Sequence, residues 1–546
     1  MTINKTLHIL ALCGIGDILS HITRFSNLET KFPDCKLKVW LGGFGKSPQF
    51  MKDILELETF NGEMIEVGLI KNLTFHNQLL EMRKFLQDNV VKENDIIQDW
   101  SFCDEIFDNK RPVFWDYKMT EGFDYEYGYH SQANKENYQI PKKNTVAIQP
   151  LTKSGNAEGF DSDVERGRFW ALGNWKEICD KLHADGFTIA ITGFGDEDWG
   201  LCEYCYEKGY DFIDYVGKSI SDTFFFLKQC AGNIACNSWT WEISSRLLQP
   251  TVCLFTKNHF FIQNHMPDTQ SKLWDTTYIE TNNQASPDDV YDVWKYMYDN
   301  KKRPEVNYSV CMITLNDKDV ISRCTQSMEM YLRGNENIWV DGGSDDGTVF
   351  SKSVVGTSIM DGKDGLKFET EVKGFDLKIF KKTWADNFEE QKNYALDQAT
   401  NEWRVWIDAD ETYEPIFWNQ LPWYIWLAEK NDVDCISVPR INIIEGLTGE
   451  ELNEYANRNG WQISGFNWIN YPDIQQRVFK SNCKFRGRTH ERIVGSKRST
   501  FLTGVHCIHP KTKVRQERGF ERENRQYEIE AEKVFERVMR DECPSK

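Results

Sequence analysis

The stretch WRVWIDADE, residues 403–411, decides how the C-terminal half of this chain is read. Its first half is apolar and aromatic, as expected of a strand buried on both faces of a parallel sheet. Its second half places Asp408, Asp410 and Glu411 in an acidic turn at the end of that strand. In open α/β sheets, ligands bind at the carboxyl ends of the strands. Alternate residues of an extended segment share a face, so Asp408 and Asp410 are expected to point the same way. Two carboxylates with one spacer suit a hard divalent cation and leave room for water and phosphate oxygens. An exposed acidic turn without a ligand is the competing reading.

The flanking sequence continues the α/β pattern. YSVCMITLN (308–316) reads as a strand, DVISRCTQSMEMYLRG (319–334) as a helix and NIWVDGG (337–343) as a strand. Upstream lies KKRPEVN (301–307), a polar linker. Before it runs another β/α series. TVAIQPL (145–151), FTIAITGFG (187–195), GNIACN (232–237) and TVCLFT (251–256) read as strands. Helices are expected at 169–185, 196–209, 240–249 and about 287–300. The first unit opens with a strand at 7–13, the turn GIGD (14–17), a helical stretch and a second strand, KLKVWLGG (36–43). Residues 110–144 read as an irregular crossing segment, and the charged last 30 residues as a solvated terminal helix.

Composition bounds the function. At roughly 150 residues per domain, 546 residues predict three to four domains. Lys and Arg number 65 against 84 Asp and Glu, a net charge of −19, which argues against a nucleic-acid partner. Contacts with anionic substrates must therefore be local: a metal, or a helix N-terminus. The 19 Trp, 21 Tyr and 34 Phe serve either as core or as stacking platforms for sugars and bases. An odd 15 cysteines suggest free thiols in a reducing compartment. The CEYC pair Cys202–Cys205 has no second pair at zinc spacing. LHILALC (7–13) is too short for a signal or membrane segment. A cytoplasmic protein is expected, with contact at the inner face of the membrane left open. GIGD lacks the third glycine of a dinucleotide fingerprint, its place taken by Leu19. GFGKS (43–47) lacks the leading glycine of a phosphate loop, where Trp40 stands. These departures count against an oxidoreductase and a P-loop enzyme.

SVCMITLN (309–316), VDGGSDDGT (340–348), the 384–411 segment, QRVF (476–479) and FRGRTHE (485–491) occur in that order. The set resembles family 2 glycosyltransferases of the GT-A fold, over most of residues 306–510. The resemblance implies sugar transfer from a nucleotide-diphosphate donor, with inversion, using Mn²⁺ or Mg²⁺. It implies that Thr314, Asn316 and Asp341 bind the nucleotide, with Ser344 and Asp346 shaping the turn. Lys392 would contact diphosphate, and Asp408 and Asp410 would be the metal and ribose carboxylates. Gly342 departs from the Asp of many relatives. Glu491 is the candidate base for the acceptor hydroxyl, or else a structural partner of Arg486, Arg488 or Arg492. His490 is placed to bond acceptor or phosphate. His506 and His509 are candidates for a third metal ligand, or else buried structural histidines.

GIGDILSHITRFSNLETKFPDCKLKVW (14–40), IQPLTKSG (148–155), RFWALGNWKEICDKL (168–182), ITGFGDE (191–197) and the 216–255 stretch resemble family 9 glycosyltransferases of heptosyltransferase type. This looser likeness over residues 7–265 implies a GT-B fold. Asp17 would be its base, or else a helix cap. Lys153 and Arg168 would neutralise phosphate, Ser238 and Thr240 would hold diphosphate at a helix N-terminus, and Glu242 would reach ribose. The family's DSGPxH is here Asn237-Ser-Trp-Thr-Trp-Glu242, so donor choice is expected to differ or activity to be lost.

The expected architecture is α/β. A GT-B fold of two Rossmann-like domains, 1–140 (acceptor side) and 141–300 (nucleotide-sugar side), precedes the linker and a GT-A domain at 308–546. The expected function is a bifunctional glycosyltransferase acting on a glycan or lipid-linked glycan acceptor of surface-polysaccharide type. The alternative is one active GT-A enzyme with a binding-only GT-B module.

Overall fold

The computed structural model describes residues 5–12, 35–42, 63–66, 96–99, 144–150, 170–193, 200–255, 276–280, 285–328, 335–348, 359–369 and 376–521, apart from single or paired positions inside these ranges, plus scattered positions over 81–95. The chain divides into two compact units, Met1–Arg303 and Pro304–Lys546.

The first unit holds two parallel sheets. Strands β1 (Lys5–Leu12), β2 (Cys35–Gly42), β3 (Glu63–Glu66) and β4 (Ile96–Asp99) pair in the order β3-β2-β1-β4. The second sheet contains β5 (Thr145–Gln149), β6 (Thr188–Gly193), β7 (Phe212–Val216), β8 (Gly232–Cys236), β9 (Thr251–Phe255) and β10 (Thr276–Glu280). Its order, β10-β9-β8-β5-β6-β7, is that of a doubly wound nucleotide-binding sheet, parallel throughout. Every residue of β5, β6 and β8 is buried, as layers on both faces require.

Its helices explain themselves locally. Helix α1 (Leu172–Ala184) buries Trp175, Ile178, Cys179 and Leu182, the i, i+3, i+4, i+7 stripe of a core-facing helix. α2 (Leu201–Lys208), α3 (Ile220–Leu227) and α4 (Trp239–Arg246) follow β6, β7 and β8. α5 (Pro287–Asn300) starts at a capping box in which the Ser286 hydroxyl accepts from Asp289 N at 3.1 Å, with Pro287 in the first turn.

The second unit is built on one mixed sheet. β11 (Tyr308–Thr314) leads into α6 (Ile321–Met328) and β12 (Glu336–Asp341). β13 (Ile359–Gly362), β14 (Gly365–Glu369) and β15 (Asp376–Lys381) extend one edge. α7 (Phe388–Gln398) then returns the chain to β16 (Trp403–Trp406) on the other side of β11. β17 (Thr412–Tyr413), α8 (Pro415–Lys430), β18 (Cys435–Glu445), α9 (Gly449–Asn459) and β19 (Ile469–Lys480) follow. The hairpin β20–β21 (Lys484–Arg486, Arg492–Val494), then β22 (Ser499–Phe501) and β23 (Cys507–Thr512), complete the unit. The path runs β13-β14-β15-β12-β11-β16-β19-β18-β23-β17, with β22 beside β18. β12 and β16 flank β11 on opposite sides, so the strand order reverses there and a crevice opens at the carboxyl ends.

One local expectation needs correction. The strand ends at Trp406, and Asp408–Glu411 form a turn closed by Glu411 N donating to Asp408 O at 2.9 Å. Asp408 and Asp410 therefore lie in a turn, and strand alternation does not set where their carboxylates face. Residues 110–143 and 522–546 lie outside the described residues. Among the described residues the cysteines are free thiols, and no helix is long and apolar enough to cross a membrane.

Candidate active site

A cleft of about 500 Å³ opens where β11 and β16 end. Its walls include Thr314, Asp317, Trp384, Phe388, Lys392, Asp408, Asp410, Arg477, Glu491, His509, Lys511 and Arg515. One wall is α7. Asn387 caps it, its side chain accepting from Glu390 N at 3.3 Å, and Glu389 and Glu390 favour the first turn electrostatically. The cap fixes the helix so that Phe388 and Lys392, one turn apart, line the cleft together beside Trp384 on the preceding loop. The Trp384 and Phe388 rings meet edge to face at 4.7 Å. The Lys392 ammonium lies 3.6 Å from Asp408 Oδ1 and 3.5 Å from Glu491 Oε2. It also sits 4.9 Å from the centre of the Phe485 ring, a cation–π contact.

Asp408 is held from every side. Its Oδ1 accepts from Trp406 Nε1 at 2.9 Å and its Oδ2 from Arg477 Nη1 at 3.2 Å. Burial would raise its carboxyl pKa, but Lys392 and then Arg477 outweigh burial and hold it well below the usual range. Arg477 is itself fixed by Glu411, which is fully buried. Glu411 also accepts from Arg440 at 3.2 Å and from the backbone N of Asp408 at 3.0 Å. Sequence reading gave Glu411 and Arg477 no role of their own. The structure makes them the frame that orients Asp408.

Asp410 faces a different set. His509 Nε2 lies 3.5 Å from its Oδ1, with Arg515 Nε at 3.3 Å and Lys511 Nζ at 3.8 Å from its Oδ2. His509 and Lys511 alternate on β23 and so share a face. Burial would raise the Asp410 carboxyl, yet His509 and Lys511 hold it well below its ordinary value. Burial, reinforced by Lys511, lowers the His509 ring pKa and favours the neutral imidazole. Arg515 also binds Asp317, whose carboxyl burial pushes up despite that guanidinium.

A divalent cation fits Asp410 and His509: a carboxylate oxygen and an imidazole nitrogen face one another in a polar cleft. Among the described residues no third His, Cys, Asp or Glu side chain completes a donor set. Such a two-residue site leaves its remaining positions to water and substrate phosphates. Asp408, with both oxygens engaged by protein donors, is the poorer ligand.

The other predicted residues are distributed as follows. Thr314 lines the cleft, and its hydroxyl reaches Asp341 Oδ1 at 3.4 Å. Asp341 accepts from the backbone N of Gly343 and Ser344, both at 3.1 Å, and so shapes the loop after β12. Asn316, at φ 57°, receives Asp345 N on its side-chain oxygen at 3.0 Å and joins the two loops. A Cβ at Gly342 lies 3.3 Å from Thr314 O, so a side chain there would press on the end of β11. Glu491 reaches Lys392, while Arg488 is spent on Asp386 O at 2.9 Å. Glu491 Oε1 is buried without a hydrogen-bond partner among the described residues. His506 is not in the cleft, because its Nε2 meets the Tyr471 hydroxyl at 3.1 Å. In the first unit, Thr240 is buried with its hydroxyl bonded to the Gln149 side chain. Asp17, Lys153, Arg168, Ser238 and His490, and the side chain of Glu242, lie outside the described residues.

A switch-point crevice in an α/β sheet, lined by carboxylates and by six Lys and Arg side chains, has the position of a ligand site and the basic side chains to meet an anionic group. Residues 309–490 match the model of glycosyl transferase family 2. The chain is therefore a glycosyltransferase, with a family 2 domain in its second unit. No curated protein matches the chain by sequence. Among solved structures it is similar to E. coli ADP-heptose lps heptosyltransferase II, at 10% identity over 54% of this chain and 99% of that one, TM-score 0.39. It is also similar to the glycosyl transferase family 9 protein of Veillonella parvula, at 13% identity over 55% and 98%, TM-score 0.35. A third is S. aureus TarS 1-349 in complex with UDP-GlcNAc, at 15% identity over 38% and 59%, TM-score 0.24.

Proposed function

We propose that the second unit transfers a sugar, with inversion, from a nucleotide-diphosphate donor to a hydroxyl of a glycan or lipid-linked glycan acceptor. The observation that carries this reading is Glu491. It has one buried oxygen that is unpartnered among the described residues, and it stands in the same cleft as the Asp410–His509 pair. In this reading Glu491 Oε1 takes the acceptor hydroxyl proton. The acceptor oxygen then bonds to the anomeric carbon as the carbon–oxygen bond to the diphosphate breaks on the opposite face. Asp410 and His509 would hold Mn²⁺ or Mg²⁺, which when bound neutralises charge on the departing diphosphate. Lys392, Arg477, Lys511 and Arg515 add positive charge around it. Asp408 holds Lys392 and Arg477 in place and faces the donor ribose. Thr314 lines the nucleotide end, with Asn316 and Asp341 supporting it.

In the same reading the first unit is a second, metal-independent transferase of GT-B type. It divides into 1–140 on the acceptor side and 141–300 on the nucleotide-sugar side, with 301–307 as linker and 308–546 as the GT-A domain. Asp17 is its base; Lys153, Arg168, Ser238, Thr240 and Glu242 bind the donor. The doubly wound strand order supports it, with α4 starting just past β8. One observation favours a binding-only module instead: the Thr240 hydroxyl is already spent inside the fold. The enzyme would work in the cytoplasm, at the inner face of the membrane, on a surface-polysaccharide intermediate. A panel of nucleotide sugars, assayed for transfer with and without Mn²⁺ in wild type and Asp17→Ala, tests both halves. Donor turnover only with metal, unaffected by Asp17→Ala, leaves a single active site in the second unit. No transfer from any donor would overturn the reading.

A further inference from the structure

We propose that Asn442 is a positioning residue that fixes the His509 ring with Nδ1 donating to it and Nε2 turned toward Asp410. The inference rests on reading Asp410 and His509 as a metal pair, and it extends that pair to a residue no motif marks.

Asn442 pairs directly with His509 across the parallel strands β18 and β23. Its Oδ1 lies 2.8 Å from His509 Nδ1. An amide can be turned either way, so its other contacts decide the orientation. The Asn442 Nδ2 lies 3.0 Å from Asp473 Oδ2 and 3.5 Å from the Ile469 carbonyl. Both are acceptors, so the NH₂ end must face them and the oxygen must face His509. Asp473 cannot turn away, because Arg440 holds its Oδ2 through Nε at 2.8 Å and Nη2 at 2.7 Å. The bond from Asn442 is therefore an acceptor to His509 Nδ1–H. In a neutral imidazole the other nitrogen then carries no hydrogen.

That second nitrogen faces Asp410 Oδ1 at 3.5 Å. When the ring is neutral, that nitrogen offers a lone pair beside a carboxylate oxygen, an arrangement that a cation satisfies. A hydrogen-bond acceptor on the far nitrogen of a metal-binding histidine characteristically fixes ring orientation in this way. The register of β18 against β19 shifts between Arg440 and Asn442, and both residues reach Asp473 across that irregularity.

The test uses the full chain with ¹⁵N-labelled histidine. His509→Gln assigns the ring resonances by difference. In metal-free wild type the spectrum is expected to show the Nδ1–H tautomer; an Nε2–H ring overturns the inference. Asn442→Leu is then titrated with Mn²⁺ by the EPR signal of free ion, beside wild type and Asp410→Asn. Affinity is expected to fall about 10–100-fold in Asn442→Leu, with the ring shifting toward Nε2–H. A folded Asn442→Leu that binds Mn²⁺ as tightly as wild type also overturns the inference. Should Asn442→Leu fail to fold, Asp473→Asn replaces it, since an amide there no longer dictates the Asn442 orientation. Mixed tautomers are then expected, and a ring fixed as in wild type counts against the relay. If Asp410→Asn binds Mn²⁺ like wild type, the metal reading fails, and with it the metal role of Asn442. An Nε2–H ring alongside Mn²⁺ binding lost in Asp410→Asn sinks the Asn442 inference alone.

Discussion

The Lys392 ammonium stands 3.5 Å from Glu491, close enough to steady the carboxylate yet engaging only its Oε2. The other oxygen, Oε1, has no hydrogen-bond partner among the described residues. Glu491→Gln keeps the shape and removes the basicity. It is expected to lower kcat by about 10²–10⁴-fold while leaving donor affinity unchanged. Transfer at the wild-type rate would assign the base elsewhere.

Asp410 is the carboxylate with an oxygen turned to an imidazole rather than to an ammonium or guanidinium. Asp410→Ala is expected to abolish metal-dependent transfer, and EDTA to do the same to wild type. Full activity in EDTA would remove the metal from the reaction and leave Asp410 as a partner of Lys511 and Arg515 only.

Arg477 is buried between Asp408 and Glu411. Arg477→Met leaves Glu411 buried beside Arg440 alone, and breaking such a pair costs about 3–5 kcal/mol. For a unit of this size that lowers the unfolding midpoint by roughly 6–20 °C. Calorimetry of the full chain should show the second unit's transition moving down while the first stays in place.

Glu336 gives a pH-dependent case away from the cleft. It accepts from Lys378 Nζ at 2.6 Å, the Ser309 hydroxyl at 2.6 Å and Thr400 N at 2.7 Å. Burial would raise its pKa, but these donors together lower it from the ordinary value of 4.5. The unfolded chain therefore binds the proton first. The stabilisation is complete above that ordinary value and is lost as pH falls through the lower folded one. Glu336→Gln is expected to cost about 1.5–3 kcal/mol at pH 7. The gap to wild type should close in acid, and a gap independent of pH would refute the ionised role.

Cleavage between Arg303 and Pro304, where the two compact units meet in sequence, is expected to yield two soluble folded pieces. Each would be checked by its own cooperative melt. Insoluble halves would show that the units need each other.

Much of the architecture was legible because it is written in local pattern. The Ser-Pro-Asp-Asp start of α5 and the apolar runs of β5, β8 and β11 needed no long-range information. The acidic turn after β16 was legible as a site for the same reason. Its partners were not. Arg477 lies 69 residues from Asp408, and Arg515 lies 105 from Asp410. Only the sheet brings them together. The two histidines are instructive. His506 and His509 differ by an odd number of positions around one strand start, so they cannot share a face. Strand parity could have separated them before any coordinates existed. Nothing in sequence could have chosen which one faces Asp410, because β23 reaches the turn only by pairing with β17 and β18.

The polar contacts of the cleft form one unbroken series. It runs from His509 through Asn442, Asp473, Arg440, Glu411, Arg477, Asp408 and Lys392 to Glu491. Neighbours in such a series do not contribute independently, so their free energies of substitution will not add. Any two adjacent members changed together should cost measurably less than the sum of the single changes. The same coupling restricts how this cleft can diverge. A single replacement leaves a charge or amide stranded, so viable change must come as paired or larger sets spread over α7, the turn after β16, β18, β19 and β23. Specificity can drift more freely on the wall formed by Trp384 and Phe388, which among the described residues touches that series only through the Lys392 ammonium over the Phe388 ring.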